Sequence, residues 1–269
     1  MIYLPLMQEF FDVTRLAMLQ GVAEFLPISS SGHLVVLQHI LDVPEEIRLR
    51  LEVFLHAGTL LAVFAFYGRR IGAILKGLAA RDAGERRGAW GYALKIVVSA
   101  LPAVAVYFAF HHDIEALVGN ARMVGALLMF TGAVLMGTRF LPRGERPVSF
   151  LRALVMGIAQ AIALLPGVSR SGMTLAAARG GRVSPADAAE FSFLQSAPLI
   201  LGGTLLEIAK VQVGSDGLSW AVLAWGVALS AVVGYFSLAL LLRALKGRWF
   251  WLFGPYCVVV GLLTLIFCK

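Results

Sequence analysis

Two long apolar segments of this chain are each interrupted in the middle by proline, glycine and serine. The segments cover residues 10–41 and 149–178, and their breaks contain Pro27 with Ser29 to Gly32, and Pro166-Gly167 with Ser169 to Gly172. Each segment predicts a helix, a turn and a second helix. Because lipid cannot satisfy the backbone groups that such a break exposes, protein or a water-filled cavity must cover it. We interpret both segments as re-entrant hairpins; a kinked full span and an interfacial helix are the alternatives.

The rest of the chain has the composition of an integral membrane protein. Of its 269 residues, 59% are hydrophobic and 14% are charged, whereas about a quarter of the residues in soluble domains are charged. Six further stretches are apolar and long enough to cross a bilayer, which takes about 20 residues. They lie near 51–67, 90–110, 123–138, 188–208, 218–242 and 250–267. We therefore expect an all-α integral membrane protein with six transmembrane helices and two re-entrant helix-turn-helix hairpins.

The distribution of basic residues predicts the orientation of these helices. Lysine and arginine concentrate in three loops, near 69–87, 139–152 and 243–248, while the opposite loops, 111–122 and 211–219, contain one basic residue, Arg122. Basic loops face the cytoplasm, so both termini should lie outside it. These loops also explain the net charge of +7, and no nucleic-acid partner is expected.

This topology makes the two halves of the chain inverted copies of each other. The first hairpin would enter the membrane from the external side and the second from the cytoplasmic side, each followed by three spans. We expect a single membrane domain, 1–269, built from repeat one, 1–140, and repeat two, 141–269. Inverted repeats with broken helices near the midplane are typical of transporters, in which helix N-termini face anionic substrates.

In the first hairpin, Gln20 and Glu24 lie four residues apart, so on a helix they share one face. Their hard oxygen donors suit Mg²⁺ or Ca²⁺. The alternative is that Glu24 is a neutral, hydrogen-bonded packing acid, since an unpaired carboxylate in apolar surroundings is costly.

Beyond the first turn, three serines, Ser29, Ser30 and Ser31, lead into the second arm, where His33 follows. Serine hydroxyls and backbone N–H groups at a helix N-terminus can bind an anion, although the same serines are typical N-caps. The imidazole of His33 could serve as a general acid, a general base or a nucleophile.

The second hairpin carries Arg170 between Ser169 and Ser171, with Thr174 one turn later. A guanidinium can bind two phosphate oxygens at once, which lysine cannot do. When the two hairpins are aligned, Arg170 occupies the position of Ser30, so one repeat carries the acid and the histidine and the other the cation. We predict a phosphate site that needs both hairpin tips.

Three blocks of sequence together resemble a known family. They are Gln20 to His33, Pro166 to Thr174, and Glu190 to Leu194 with Pro198. The chain resembles, over nearly its whole length, the bacterial undecaprenyl pyrophosphate phosphatase family that confers bacitracin resistance. The resemblance implies the same six-span inverted repeat with two re-entrant hairpins. It also implies removal of the terminal phosphate from a C55 isoprenoid pyrophosphate, with a divalent cation, which regenerates the monophosphate carrier for cell-wall synthesis.

The resemblance also implies roles for individual residues. It implies metal binding by Gln20 and Glu24, catalytic work by Glu24, Ser30, His33 and Arg170, and pyrophosphate binding by Arg170 with Ser29, Ser31, Ser169, Ser171 and Thr174. Many relatives have glutamate at the position of Gln20, so Glu24 would carry more of the metal binding here. The nucleophile is left open among His33, Ser30 and water.

The resemblance further implies a multi-pass protein of the bacterial cytoplasmic (inner) membrane, with its active site open to the external side. Its partners would be an isoprenoid pyrophosphate lipid and membrane lipids, and a homodimer is left open. Two rival functions remain: a transporter or flippase for an anionic lipid or solute, and an intramembrane serine protease using Ser30 or Ser31 with His33. The protease explains neither Arg170 nor Glu24.

Two further features receive structural interpretations. His56 either lines a cavity or is a hydrogen-bonded histidine between helices. His111, His112, Asp113 and Glu115 resemble a metal cluster, but their position predicts a solvated external loop.

Overall fold

The protein is described by a computed structural model that covers residues 6–118, 120–210, 219–247 and 249–267. Within these ranges the chain is all-helical, with no β-strand assigned, as the sequence predicts. The helices are α1 (Leu6–Ala23), α2 (Ser30–Ile40), α3 (Glu45–Leu78), α4 (Ala83–Val118), α5 (Ala121–Gly137), α6 (Phe150–Ile162), α7 (Arg170–Gly180), α8 (Pro185–Lys210), α9 (Trp220–Lys246) and α10 (Phe253–Phe267).

Both interrupted segments form a helix, a turn and a second helix. Helices α2 and α7 have 11 residues each, and both begin with the same cap. The Ser29 side chain accepts a hydrogen bond from the Gly32 N–H, and Ser169 accepts one from the Gly172 N–H. A serine N-cap satisfies a backbone donor that the first helical turn leaves free. The serines therefore determine where the second arm of each hairpin begins.

Five of the described helices are long and apolar enough to cross a membrane. They cover Arg50–Leu78, Ala83–Phe110, Ala121–Phe140, Trp220–Lys246 and Phe250–Phe267. These correspond to five of the six expected spans. The sixth, at 188–208, lies on α8, which ends at Lys210, but the side chains of 206–210 lie outside the described residues, so this span stays a prediction.

The polar stretch after the second span is helical, and the expected loop at 111–122 is wrong over most of its length. Helix α4 continues to Val118 through a break at Phe110, whose φ of −133° and ψ of 15° are not helical. The exposed side chains of His112 and Asp113 lie on this extension. The described residues contain no group of three histidine, cysteine, aspartate or glutamate side chains placed to hold a metal.

Helices α5 and α10 approach each other through two reciprocal pairs of glycines. A Cβ placed on Gly132 would lie 2.7 Å from the Gly254 carbonyl oxygen, and a Cβ on Gly254 would lie 2.7 Å from that of Gly132. Gly125 and Gly261 face each other in the same way, at 2.8 and 2.5 Å. Small residues allow such backbone contact between membrane helices. The two helices are therefore antiparallel.

The remaining packing brings the two hairpin tips together. Helix α1 packs against α9 and α6 packs against α4, so the first arm of each hairpin packs against the second span of the other half. A Cβ on Gly32 would lie 3.3 Å from the Gly167 Cα, and one on Gly172 would lie 3.4 Å from the Pro27 Cβ. Gly167 also has a φ of +95°, which glycine adopts without strain. The tips of the two hairpins are thus in close contact.

Candidate active site

The carboxylate of Glu24 is the centre of the candidate site, and protein donors surround it. Arg170 forms an ion pair with Glu24 Oε1 through its Nη2. The Ser30 hydroxyl donates to Glu24 Oε2 at 2.7 Å, and the Gln20 amide Nε2 donates to the same oxygen at 3.1 Å. Glu24 is 7% exposed, and a buried carboxylate needs such partners. Both hairpins therefore contribute to one charged cluster, and the alternative of a neutral packing acid is not favoured.

His56 is a second cationic neighbour of Glu24. Its Nε2 lies 3.4 Å from Glu24 Oε2, and its Nδ1 is 2.7 Å from the Glu52 carbonyl oxygen. A carbonyl oxygen only accepts, so Nδ1 carries a proton. Because Nε2 faces a carboxylate oxygen, the arrangement favours a ring that is protonated on both nitrogens. The interhelical interpretation of His56 is confirmed, and the histidine also belongs to the site.

The guanidinium of Arg170 has capacity for a further anion. Arg170 is the first residue of α7, and 19% of its side chain is exposed. Its Nη1 is buried and has no hydrogen-bond partner among the described residues. A buried donor without a partner costs about 1–3 kcal/mol. An entering phosphate oxygen would satisfy this donor, and the N-terminus of α7 adds a partial positive charge.

The serines predicted to bind substrate lie at the hairpin tips, where they have structural partners. Ser29 and Ser31 are 3.3 Å apart through their hydroxyls, as are Ser169 and Ser171. The Ser171 hydroxyl donates to the Leu26 carbonyl of the other hairpin at 3.2 Å. The capping role that the sequence left as an alternative is therefore present, and substrate binding by these serines stays a prediction.

Thr174 connects α7 to helix α8, which follows it. Its hydroxyl lies 2.6 Å from the hydroxyl of Ser192 on α8 and 2.9 Å from the Arg170 carbonyl oxygen. These contacts brace the first turn of α7, on which Arg170 sits. The Thr174 hydroxyl therefore has structural partners, and substrate binding by Thr174 stays a prediction.

His33 lies on the first hairpin, but its ring contacts other partners than the Glu24 cluster. Its Nδ1 is 2.9 Å from the Ser29 carbonyl oxygen, and its Nε2 is 2.8 Å from the hydroxyl of Tyr256 on α10. Tyr256 gave no signal in the sequence, since it is one tyrosine in an apolar span. His56 gave only a weak one.

The donors around Glu24 are compatible with a divalent cation. Gln20 Oε1 is buried and has no hydrogen-bond partner within the described part of the chain. An unsatisfied amide oxygen beside a carboxylate is the kind of ligand that Mg²⁺ and Ca²⁺ prefer, with phosphate oxygens and water completing the shell. The predicted metal residues therefore lie together.

Comparisons with known proteins show the family to which the chain belongs. The family model described as bacitracin resistance protein BacA matches residues 13–263. Proteins named undecaprenyl-diphosphatase align with nearly the whole chain: that of Salinibacter ruber is 34% identical, covering 94% of this chain and 97% of the relative. That of Desulfosudis oleivorans is 38% identical, with 93% and 95% covered, and that of Methanosphaera stadtmanae is 33% identical, with 97% and 98% covered. The chain belongs to the bacitracin resistance protein BacA family.

Proposed function

We propose that this protein hydrolyses undecaprenyl pyrophosphate to undecaprenyl phosphate and inorganic phosphate, and so recycles the lipid carrier of cell-wall synthesis. The observation that carries the proposal is the Glu24 cluster: a serine hydroxyl on a buried carboxylate, next to an arginine whose Nη1 has no hydrogen-bond partner in the described part of the chain. A carboxylate, a hydroxyl and a phosphate-binding cation are the parts that phosphoryl transfer requires.

In this proposal Arg170 binds the pyrophosphate and Ser30 attacks it. Pyrophosphate oxygens compete with Glu24 for the guanidinium and occupy its free Nη1. The Ser30 oxygen attacks the terminal phosphorus, its proton passes to Glu24 Oε2 at 2.7 Å, and undecaprenyl phosphate leaves. Water then hydrolyses the phosphoserine, and Glu24 returns the proton to Ser30. Fixed charges that neutralise the phosphoryl oxygens supply most of the rate.

The contacts of Ser30 and His33 favour Ser30 as the nucleophile. The Ser30 hydroxyl contacts the carboxylate that would take its proton, while both ring nitrogens of His33 bond to Ser29 and Tyr256. A base within hydrogen-bond reach is the first requirement for an activated nucleophile. Trapping a phosphorylated residue by acid quench and peptide mapping separates the candidates: phosphate on Ser30 supports this assignment, and phosphate on His33 contradicts it.

We further propose that Gln20 and Glu24 hold a divalent cation, Mg²⁺ or Ca²⁺. When bound, the cation would supply charge for the phosphoryl oxygens. His56 stays beside Glu24 while Arg170 engages the substrate, so the carboxylate is ionised before it takes the Ser30 proton. Glu24→Gln should abolish stimulation by Mg²⁺, whereas a response to chelator that matches the unaltered protein would contradict the assignment.

The membrane architecture belongs to the same proposal. Five spans, two helical hairpins in contact at their tips and the reciprocal α5–α10 glycine pairs support six spans with two re-entrant hairpins in an inverted repeat. The basic loops support a cytoplasmic (inner) membrane location with the site open to the external side.

A transporter or flippase for an anionic lipid is the second candidate, favoured by the same pairing of two halves at a central site. Phosphate release by the purified protein in detergent separates the two functions, because transport releases no phosphate. We expect release from undecaprenyl pyrophosphate and its loss in Ser30→Ala. No release from long- or short-chain isoprenoid pyrophosphates, with Mg²⁺ or Ca²⁺ present, would contradict the phosphatase.

A further inference from the structure

The ring of Tyr256 stacks on the ring of His33, and its hydroxyl forms a hydrogen bond with His33 Nε2. The two rings stack with centroids 5.6 Å apart and planes 7° apart, and the tyrosine oxygen lies 2.8 Å from His33 Nε2. His33 is 8% exposed, whereas Tyr256 is 45% exposed. The tyrosine therefore covers the histidine.

The hydrogen bonds of His33 determine which nitrogen carries its proton. The Ser29 carbonyl oxygen, 2.9 Å from Nδ1, can only accept, so Nδ1 is the protonated nitrogen. The contacts described for the ring, Ser29 and Tyr256, are both uncharged, and a buried charge needs a charged partner. The ring is therefore neutral, Nε2 holds its lone pair, and the Tyr256 hydroxyl donates to it.

Helix α10 holds the first hairpin at a second, neighbouring point. The Cys257 thiol donates to the Pro27 carbonyl oxygen at 3.6 Å, so adjacent residues of α10 contact the turn of the hairpin and its second arm. In the other half, the residue equivalent to His33 is Met173, which packs against Leu127 of α5 in an apolar cluster. The His33–Tyr256 pair is therefore specific to the half that carries Glu24. The apolar residue at the equivalent position shows that packing of the hairpin alone does not require a histidine there.

We propose that Tyr256 is a positioning residue for the reaction: through its hydroxyl it fixes the orientation and the tautomer of His33 and keeps the ring neutral. The proposal rests on the proposed function. It assigns His33 as a neutral, oriented ring rather than a charged acid, where the sequence left acid, base and nucleophile open. In functional histidines, the hydrogen bond made by one ring nitrogen commonly sets which nitrogen carries the proton. Here both ring nitrogens of His33 have such a hydrogen-bond partner.

Tyr256→Phe removes the hydroxyl and keeps the ring, and Tyr235→Phe is the matched control. Tyr235 is on α9, 42% exposed, and its ring contacts Phe66 and Phe236. We expect Tyr256→Phe to lower kcat about three- to tenfold, the contribution of one hydrogen bond, with KM unchanged. We also expect the acid limb of its rate profile to move to higher pH, because the hydroxyl no longer competes with a proton for Nε2. Tyr235→Phe should change none of these.

Nitrogen-15 spectra of the histidine rings test the tautomer without activity. We expect a neutral His33 ring protonated at Nδ1, and the loss of its signals in His33→Gln assigns them. The Nε2 resonance of His33 should move in Tyr256→Phe and stay unchanged in Tyr235→Phe. A doubly protonated ring or a proton on Nε2 in the unaltered protein would overturn the inference, as would an unchanged kcat and pH profile in Tyr256→Phe. Absence of phosphate release in the unaltered protein would instead overturn the proposed function and leave the spectra to decide the tautomer.

Discussion

The first hairpin, α1 with α2, and the second, α6 with α7, share their capping geometry but carry different polar side chains. Each second arm has 11 residues and begins behind a capping serine whose hydroxyl is 3.3 Å from that of another serine two residues on. In contrast, Glu24 corresponds to Gln160, Ser30 to Arg170 and His33 to Met173. The shared residues build the turns, and the differing ones carry the proposed chemistry.

The surroundings of the corresponding residues differ as strongly as the residues themselves. Glu24 has four polar side chains around it, whereas neither end of the Gln160 amide has a hydrogen-bond partner among the described residues. The turns differ too, because Gly167 takes the positive φ in the second hairpin and Ser29 takes it in the first. A non-glycine residue in that region is strained, and here it precedes the proposed nucleophile.

The largest expected effect comes from Ser30→Ala. It removes the proposed nucleophile and should reduce phosphate release by at least about 10³-fold, as loss of a nucleophile does in other enzymes. Tm should change little, because Ser29 and not Ser30 caps α2. Residual turnover within tenfold of the unaltered protein would show that Ser30 is not the nucleophile.

Arg170→Lys tests the contribution of the second hairpin. The charge remains, but the two-pronged contact with phosphate is lost, so we expect a loss of about 10²- to 10³-fold in kcat/KM. Circular dichroism should show an unchanged helix content. Near-normal turnover would contradict the two-pronged role of Arg170.

His56→Gln should have a smaller effect, because it removes a charge beside Glu24 and leaves a hydrogen-bond donor. We expect roughly tenfold lower kcat/KM, equivalent to about 1.4 kcal/mol. His39→Gln is the control, since His39 is exposed on α2 and should leave the rate unchanged. Equal effects of the two variants would remove His56 from the site.

The smallest effect on activity, and a clear one on stability, is expected from the glycine pairs between α5 and α10. Gly132→Ala and Gly254→Ala each place a Cβ 2.7 Å from the opposite carbonyl oxygen, so each should destabilise the fold by about 1–3 kcal/mol. Gly202→Ala is the control for thermal unfolding, because an added Cβ there meets no described atom within 4 Å beyond its own helix backbone and chain neighbours. Unequal losses at Gly132 and Gly254 would show that the contact is not symmetric.

Much of the fold could be predicted from local signals. Apolar length predicted five described spans, and the proline and serine breaks predicted both hairpins. The α4 extension was missed because its cluster of polar residues, 111–115, favours a loop, yet the helix continues past the break at Phe110.

The site was predictable where its residues form motifs. Glu24, Ser30 and Arg170 belong to recognisable blocks, and the structure brings them together. His56 and Tyr256 are single polar residues in apolar spans, and they reach the hairpin only because α3 packs against α1 and α10 lies beside the turn. Sequence spacing does not encode such contacts between distant helices.

The most direct test of the central claim, one site with unequal contributions from two similar halves, is phosphate release from undecaprenyl pyrophosphate by purified Glu24→Gln and Gln160→Met. Glu24→Gln should lose at least about 10³-fold in rate. Gln160→Met should keep the rate and the stability of the unaltered protein, because it replaces a buried amide without partners by an apolar chain. Similar losses in both variants, or substantial turnover by Glu24→Gln, would contradict the account.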